Sequence, residues 1–202
     1  MATTTPNYGW PVPTSTDYVK DGAVAIEALG DAIDATVFGL PSAGLTLIST
    51  TTIGTAVASV TVSGAFSATY DNYQIVVSDG VVSAATNLKL TLGATATGYY
   101  GGLASIIFST GALNTTSDNN ATSFSSISRP TTNTLNASFE LNSPFLAKNT
   151  MINSNYNSAI TSGDAGFYAG FLNNSTSYTA FTLATTAGTF TGGKIRVYGF
   201  KN

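Results

Sequence analysis

The residues of this chain that could take part in acid–base chemistry are carboxylates. Beyond residue 34 they are five widely spaced side chains, Asp71, Asp79, Asp118, Glu140 and Asp164. A glycosidase requires two such groups, held about 5–10 Å apart in a groove. Isolated Asp in Asp-Asn or Asp-Gly is more typical of turns. We therefore predict a protein that is not an enzyme, and keep a polysaccharide depolymerase as the weakest alternative.

Other reactive groups are missing from the sequence. The chain contains no histidine and no cysteine, so the most common general base and all thiol nucleophiles and thiolate ligands are absent. No phosphate-binding glycine loop, nucleophile elbow or calcium-loop motif occurs. We therefore predict no cofactor and no metal.

Composition limits the class of partner. Only 8% of the 202 residues are charged, and 33 Thr, 22 Ser and 16 Asn supply the polarity, which predicts a neutral, hydroxyl-rich surface. With a net charge of −3 and no cluster of bases, the chain is not suited to nucleic acid. The uncharged stretch 35–70 is interrupted by Thr, Ser and Gly, which argues against membrane insertion. No targeting segment is visible at residues 1–6, so we expect synthesis in a cytoplasm.

The elements that must position any site begin with a proline-rich segment. Pro6, Pro11 and Pro13 predict an extended arm over residues 1–17. Its apolar side chains, Tyr8, Trp10 and Val12, would lie in water unless the arm packs on something else. Two alternatives remain open, since the arm can fold back on its own chain or dock on another subunit or a larger assembly.

A helix follows over residues 18–35, with Thr16 or Asp17 as its N-cap. Its apolar residues recur at helical spacing and form one stripe, Val19, Ala23, Ile26, Leu29 and Ile33. A helix this short, with glycine at positions 22 and 30, needs a partner. That partner is either the chain's own β-domain or other copies in a short coiled coil, a dimer or a trimer. Residues 36–44 are predicted to be a hinge.

Residues 45–202 change to a period of two, which predicts strands. The expected strands are 45–49, 57–62, 73–77, 88–92, 103–108, 139–141, 165–172, 178–183 and 194–200. About nine strands with no second helix predict a mainly β protein with an antiparallel β-sandwich, jelly-roll-like in type. The polar stretch 111–130, with Phe124 and Ile127 as its apolar residues, is predicted to be a long exposed loop.

Aromatic residues of the β-domain are candidates for contact with a host surface. These candidates are Tyr99, Tyr100, Phe124 and Tyr156, because aromatic rings can stack on sugars. Packing in the core or at a subunit interface is the more common use of such rings in a β-domain.

Two sets of residues resemble known proteins. Pro6-Asn7-Tyr8-Gly9-Trp10-Pro11-Val12-Pro13, followed by Asp17, Asp21-Gly22, Ala25-Ile26, Leu29-Gly30 and Ile33-Asp34, resembles the N-terminal segment of small virion proteins of tailed bacteriophages. Tyr70-Asp71-Asn72-Tyr73, Leu90-Thr91-Leu92-Gly93, Gly98-Tyr99-Tyr100 and the ending 192–199 resemble the β-domain that often follows it. Such proteins are tail-fibre, minor-tail or head-fibre types.

The resemblance implies a homotrimeric appendage on the outer surface of a virion. Its arm, through Pro6, Tyr8, Trp10, Pro11, Val12 and Pro13, would bind other virion proteins, the helix would join the copies, and the β-domain would face outward. The first hypothesis is a tail fibre whose loops 111–130 and 149–164 bind a host-surface glycan or protein. The second is a capsid decoration or head-fibre protein with no essential receptor.

Overall fold

The computed structural model describes residues 3–14, 18–39, 44–158 and 163–200. The chain divides into two compact units, Met1–Ala43 and Gly44–Asn202. The division lies within the predicted hinge, and each unit has its own architecture.

The first unit is a small hairpin packed on a helix. Strands β1 (Thr3–Thr4) and β2 (Pro11–Val12) pair antiparallel. A turn of Val19–Asp21 leads into helix α1, Gly22–Gly39, and β2 packs on α1. The chain reverses between the strands because Gly9 adopts φ +67°, and the Thr5 N–H donates to the Trp10 carbonyl at 2.9 Å.

These observations correct two predictions. The arm is not a single extended segment but a hairpin, since Gly9 supplies a left-handed turn that the proline spacing did not reveal. Helix α1 continues to Gly39 instead of ending at residue 35, so residues 36–39 of the predicted hinge are helical. The predicted N-cap residues Thr16 and Asp17, and hinge residues 40–43, lie outside the described residues.

The second unit consists of strands. Their bounds are β3 Leu45–Thr52, β4 Thr55–Val57, β5 Ser59–Val62, β6 Asn72–Val82, β7 Leu88–Leu92, β8 Tyr99–Ile107, β9 Leu113–Ala121, β10 Phe124–Ser128, β11 Leu135–Asn142, β12 Thr150–Asn157, β13 Asp164–Leu172, β14 Phe181–Thr185, β15 Phe190–Thr191 and β16 Lys194–Phe200.

The strands form two antiparallel sheets, which confirms the predicted β-sandwich. The large sheet has the order β3-β16-β6-β11-β12-β13-β8-β9. The short strand β15 pairs with the C-terminal end of β6 and with β4. The small sheet has the order β10-β7-β14-β5. Consecutive strands such as β11, β12 and β13 are neighbours, which keeps their alternating residues in a fixed register.

The core contains the inward-facing residues of both sheets. On β6, Tyr73, Ile75 and Val77 are buried, and the residues between them are half-buried on the opposite face. Aromatic rings pack edge to face in this core, as Phe124 does against Tyr99 at a centroid distance of 4.9 Å. Because successive side chains of a strand point to opposite faces, every second residue of the large sheet lies on its outward face, away from the core.

The prediction of a long loop over residues 111–130 is wrong, because this stretch forms β9 and β10. Strand β9 is polar on both faces and pairs with β8 at the edge of the large sheet, so it has no apolar alternation to signal it. Strand β10 pairs with β7 in the small sheet, and its Phe124 and Ile127 are fully buried. Half of the second predicted loop, 149–164, is likewise strand β12, and its residues 159–162 lie outside the described residues.

Candidate functional site

The outward face of the large sheet carries a shallow groove near its centre. Its volume is about 270 Å³, and it lies over β6, β11, β12 and β13. We call it the central groove and define it by the side chains that face it, Gln74, Ser138, Glu140, Asn153, Asn155, Phe167 and Ala169. Such a concave surface with several polar groups is a candidate binding site.

Strand register places these side chains in two adjacent rows. In one row Glu140 on β11 lies opposite Gln74 on β6 and, on its other side, opposite Asn153 on β12. In the next row Asn155 on β12 lies between Ser138 and Phe167. Neighbouring strands are about 4.8 Å apart and rows on one face about 7 Å apart. The polar groups are therefore fixed by backbone pairing and not by loop conformation.

Most polar groups of the central groove have no partner within the protein. The Gln74 Nε2 donates to the Ser138 Oγ at 2.8 Å, which orients that amide. In the part of the chain that the structure describes, the side chains of Asn153, Asn155 and Glu140 make no hydrogen bond or ion pair. Two amides and one carboxylate thus present donors and acceptors to a ligand.

An exposed aromatic ring borders this polar cluster. Phe167 is 59% exposed and stands beside Asn155. Further along the same face, Phe171 stacks on Tyr100 at a centroid distance of 5.3 Å, next to Met151. The central groove therefore combines one exposed ring with hydrogen-bonding groups.

Glu140 is the charged residue among those lining the central groove. Arg196 faces the same side of the sheet, but it lies on β16, three strands away from β12, and its Nη1 donates to the Ser78 Oγ at 2.9 Å. The lining also contains a single carboxylate, so it lacks the pair that glycoside hydrolysis uses.

Two of the other candidate carboxylates, Asp164 and Asp118, bind neighbouring side chains of the protein. Asp164 is buried and its Oδ2 accepts hydrogen bonds from the Ser105 Oγ at 2.6 Å and the Asn114 Nδ2 at 2.9 Å, while Arg129 lies 3.6 Å from its Oδ1. Asp118 accepts hydrogen bonds from the Tyr168 hydroxyl and the Ser125 N–H. Both groups hold strands together, which makes them unsuited to attack on a polymer.

The predicted contacts Tyr99, Phe124 and Tyr156 are wrong, because all three rings are buried in the sandwich. Their inward positions follow from strand register, which composition alone does not reveal. Tyr99 accepts a hydrogen bond from the Leu92 N–H at 2.8 Å, and burial raises its pKa to about 12. Tyr100, the fourth candidate, is half-buried on the outward face.

In the first unit, the predicted anchoring residues form the hairpin that covers one side of α1. The Trp10 Nε1 donates to the Thr36 Oγ1 at 2.9 Å, and Tyr8 stacks on Trp10 at a centroid distance of 5.1 Å. Trp10, Pro11, Val12 and Pro13 are half-buried, whereas Pro6 and Tyr8 are exposed. The hairpin thus folds back within its own unit, and Tyr8 stays accessible to a partner.

Helix α1 retains an uncovered apolar stripe. Of the predicted stripe, Leu29 is half-buried, as are Gly22, Ala25, Ala32 and Thr36 at the same spacing. The remaining members are exposed: Val19 is 97% exposed, Ile26 is 66% exposed, and Ala23 and Ile33 are exposed as well. With Gly30 and Val37 they repeat at intervals of four and three residues, and we call this set the helix stripe.

The central groove was not predicted from sequence, although a signal existed. In Thr150–Asn157, Asn occupies alternate positions 153, 155 and 157 while Ile152 and Tyr156 are buried. Buried and exposed residues therefore alternate along this strand, and Asn side chains occupy the exposed face. The contributions of Gln74, Glu140 and Phe167 depend on strand order, which no local pattern supplies.

The fold of the second unit is therefore that of an antiparallel β-sandwich with a ligand-accessible sheet face. Compared with known proteins, the chain matches no family model, no curated protein and no solved structure. Among the described residues, no helix has the length and apolarity to cross a membrane, and no cluster of metal-ligating side chains occurs.

Proposed function

We propose that this chain is a non-enzymatic structural protein of a bacteriophage particle. It is a homotrimeric tail fibre that is anchored through its first unit and presents the β-sandwich for attachment to the host surface. The observation that carries this proposal is the division of the chain into two compact units, each with an exposed surface suited to a different partner. The helix stripe suits self-association, and the central groove suits a ligand.

The helix stripe supports the oligomeric part of the proposal. Val19, Ile26 and Ile33 are seven residues apart, and the stripe residues between them, Ala23 and Gly30, are small. None of these side chains is buried within one chain. Apolar residues at this spacing exclude water when equivalent helices pack around an axis, so several copies stabilise one another.

The hairpin supports the anchoring part of the proposal. It presents Pro6 and Tyr8 on the exposed side of a small unit, while Trp10 fixes the hairpin to α1. An exposed aromatic ring beside proline is a compact group for burial against a larger particle.

A capsid decoration protein is the second candidate, and it has the same anchoring requirement. A decoration protein with no receptor needs no groove of unpartnered amides, whereas an attachment protein does. The central groove therefore favours the tail fibre of the two candidates.

A deletion tests the anchoring proposal. We expect a chain that begins at Gly44 to fold and remain soluble, since the second unit has its own core, but to be missing from purified particles. The control is the full chain carrying Asn155→Ala, which alters the central groove and should be incorporated normally. Incorporation of the shortened chain at the level of the full chain would refute the assignment.

A further inference from the structure

The geometry points to the central groove as a binding site for neutral glycans, built from hexose or N-acetylhexosamine units. This inference deepens the proposed function and rests on it, because it names the ligand class of the outward face. The ring of one sugar residue stacks on Phe167, and its hydroxyls hydrogen-bond to Asn153, Asn155 and Glu140.

The chemistry of the side chains matches that of a sugar. A pyranose has one face of C–H groups, which an exposed aromatic ring covers, and a perimeter of hydroxyls that donate and accept hydrogen bonds. Phe167 supplies the ring, at 59% exposure. Asn155 lies directly opposite it on β12, and Asn153 lies two residues away on the same face. Each planar amide offers both a donor and an acceptor, which suits vicinal hydroxyls.

The geometry is preorganised for a weak ligand. Four paired strands hold these groups, so binding orders side chains but no loop. A groove of about 270 Å³ is at the small end for ligand pockets and is open above, so a polymer can continue across the sheet. Affinity at one such site is low, and several copies on one axis raise it by avidity.

The preference for a neutral glycan over an acidic one follows from the charges around the groove. Glu140 is the charged residue of the lining, and it repels a carboxylate or sulfate on a sugar. The Arg196 guanidinium on the same face keeps its charge, but it is held by Ser78 and lies two strands from β11, outside the groove lining. An acidic glycan would therefore place its charge closer to the Glu140 carboxylate than to a cation.

A protein partner fits the central groove less well than a glycan. The centres of protein interfaces are depleted in charge and enriched in apolar contacts. The central groove instead has a carboxylate and two unpartnered amides around one ring. The more apolar part of the same face, around Met151, Phe171 and Tyr100, lies beside the groove and not within it.

The test uses the full chain on a glycan array. The array carries neutral hexose and N-acetylhexosamine oligomers, together with carboxylated and sulfated forms of the same backbones. We expect binding to at least one neutral series and weaker binding to its acidic forms. Absence of binding to every neutral series, or a preference for the acidic forms, would overturn the inference.

Four variants then locate the site on the neutral oligomer that binds best, with affinity measured by titration. Phe167→Ala should weaken binding about tenfold through loss of the stacked ring, and Asn155→Ala about fivefold through loss of hydrogen bonds. Met151→Ala is the matched control, since Met151 is 53% exposed on the same face outside the groove, and it should bind as the unmodified chain does.

The fourth variant, Glu140→Gln, keeps the shape of the groove and removes its charge. It should weaken neutral-glycan binding about fivefold, because a charged acceptor becomes a neutral one, and it should reduce the discrimination against acidic forms. Equal binding by all four variants would show that the glycan lies elsewhere and overturn the assignment. Absence of glycan binding by the unmodified chain, with normal incorporation into particles, refutes this inference alone, whereas absence of the unmodified chain from particles refutes the proposed function.

Discussion

At the residue scale, the buried tyrosines control how the sandwich responds to alkali. Tyr99, Tyr156 and Tyr168 are buried, and desolvation is the largest cause that raises the pKa of each. The raised pKa of Tyr168 has a second cause, because its hydroxyl donates to the Asp118 carboxylate. All three hydroxyls therefore stay protonated in the folded protein at a pH where an exposed tyrosine ionises.

We predict that the free energy of unfolding is insensitive to these tyrosines below pH 10 and falls above it. Between the unfolded pKa of about 10 and the folded pKa of about 12, Tyr99 is ionised in the unfolded chain only. Unfolding is then favoured by about 1.4 kcal/mol per pH unit for each such tyrosine. Denaturant titrations at a series of pH values measure this slope, and phenolate absorbance follows the ionisation itself.

The control for this prediction is Tyr99→Phe. It removes the ionisable group and should reduce the alkaline slope by about 1.4 kcal/mol per pH unit. It also costs about 1 kcal/mol at neutral pH, because the Leu92 N–H loses its acceptor. Ionisation of all ten tyrosines near pH 10 with the fold intact would contradict the buried placement.

The same residues show what sequence could not predict. Tyr99 and Tyr100 are adjacent, yet one is buried and the other faces outward, because successive side chains of a strand alternate between faces. Choosing between them requires the register of β8 against β13. The sequence therefore identifies an aromatic residue of a β-domain as a candidate contact, but it does not show whether the ring faces the core or the solvent.

At the element scale, helix α1 has an apolar side that is exposed to solvent in a single chain. The hairpin covers one side of it, through Trp10 and β2. The helix stripe on another side remains exposed in a single chain. An isolated short helix gains little stability from propensity, so its order depends on tertiary or quaternary contacts.

We predict that Ile26→Asp dissociates the oligomer. Equivalent positions meet near the axis of a coiled coil, so the substitution would place several carboxylates in an apolar seam. Light scattering should change from three times the chain mass of 20.6 kDa to one. Val24→Asp is the matched control, because Val24 is 67% exposed and about 200° around the helix from Ile26.

Retention of the trimer by Ile26→Asp would show that the helix stripe is not the subunit contact. Equal dissociation by Val24→Asp would indicate that added charge on α1, and not the stripe, is responsible. A dimer in the unmodified chain would preserve the stripe as the contact but correct the oligomer number.

The elements differ in how well sequence predicts them. Strands with one apolar face, such as β7 and β16, are found by alternation, and each of the nine predicted strands overlaps a strand of the structure. Strand β9 was missed because both of its faces are polar, and β12 because its buried face includes Thr150 and Ser154. The hairpin was missed since its pairing depends on one glycine turn.

At the scale of the whole molecule, the chain assigns different surfaces to different units. The first unit carries the net negative charge, with five acidic residues between positions 17 and 34 and one lysine, and presents the helix stripe. The second unit carries a neutral surface and the central groove. The β-sandwich was predictable from composition and periodicity, whereas the central groove assembles side chains from four strands and became visible only with the topology.

The most direct test of the central claim is to locate the chain on assembled particles. Electron microscopy of phage particles carrying a gold-labelled copy, with the label attached to the β-sandwich, measures where the protein sits. The tail-fibre account predicts label at the tail, in clusters consistent with three copies. Label confined to the capsid would contradict the tail position, and particles without label would contradict membership of the virion.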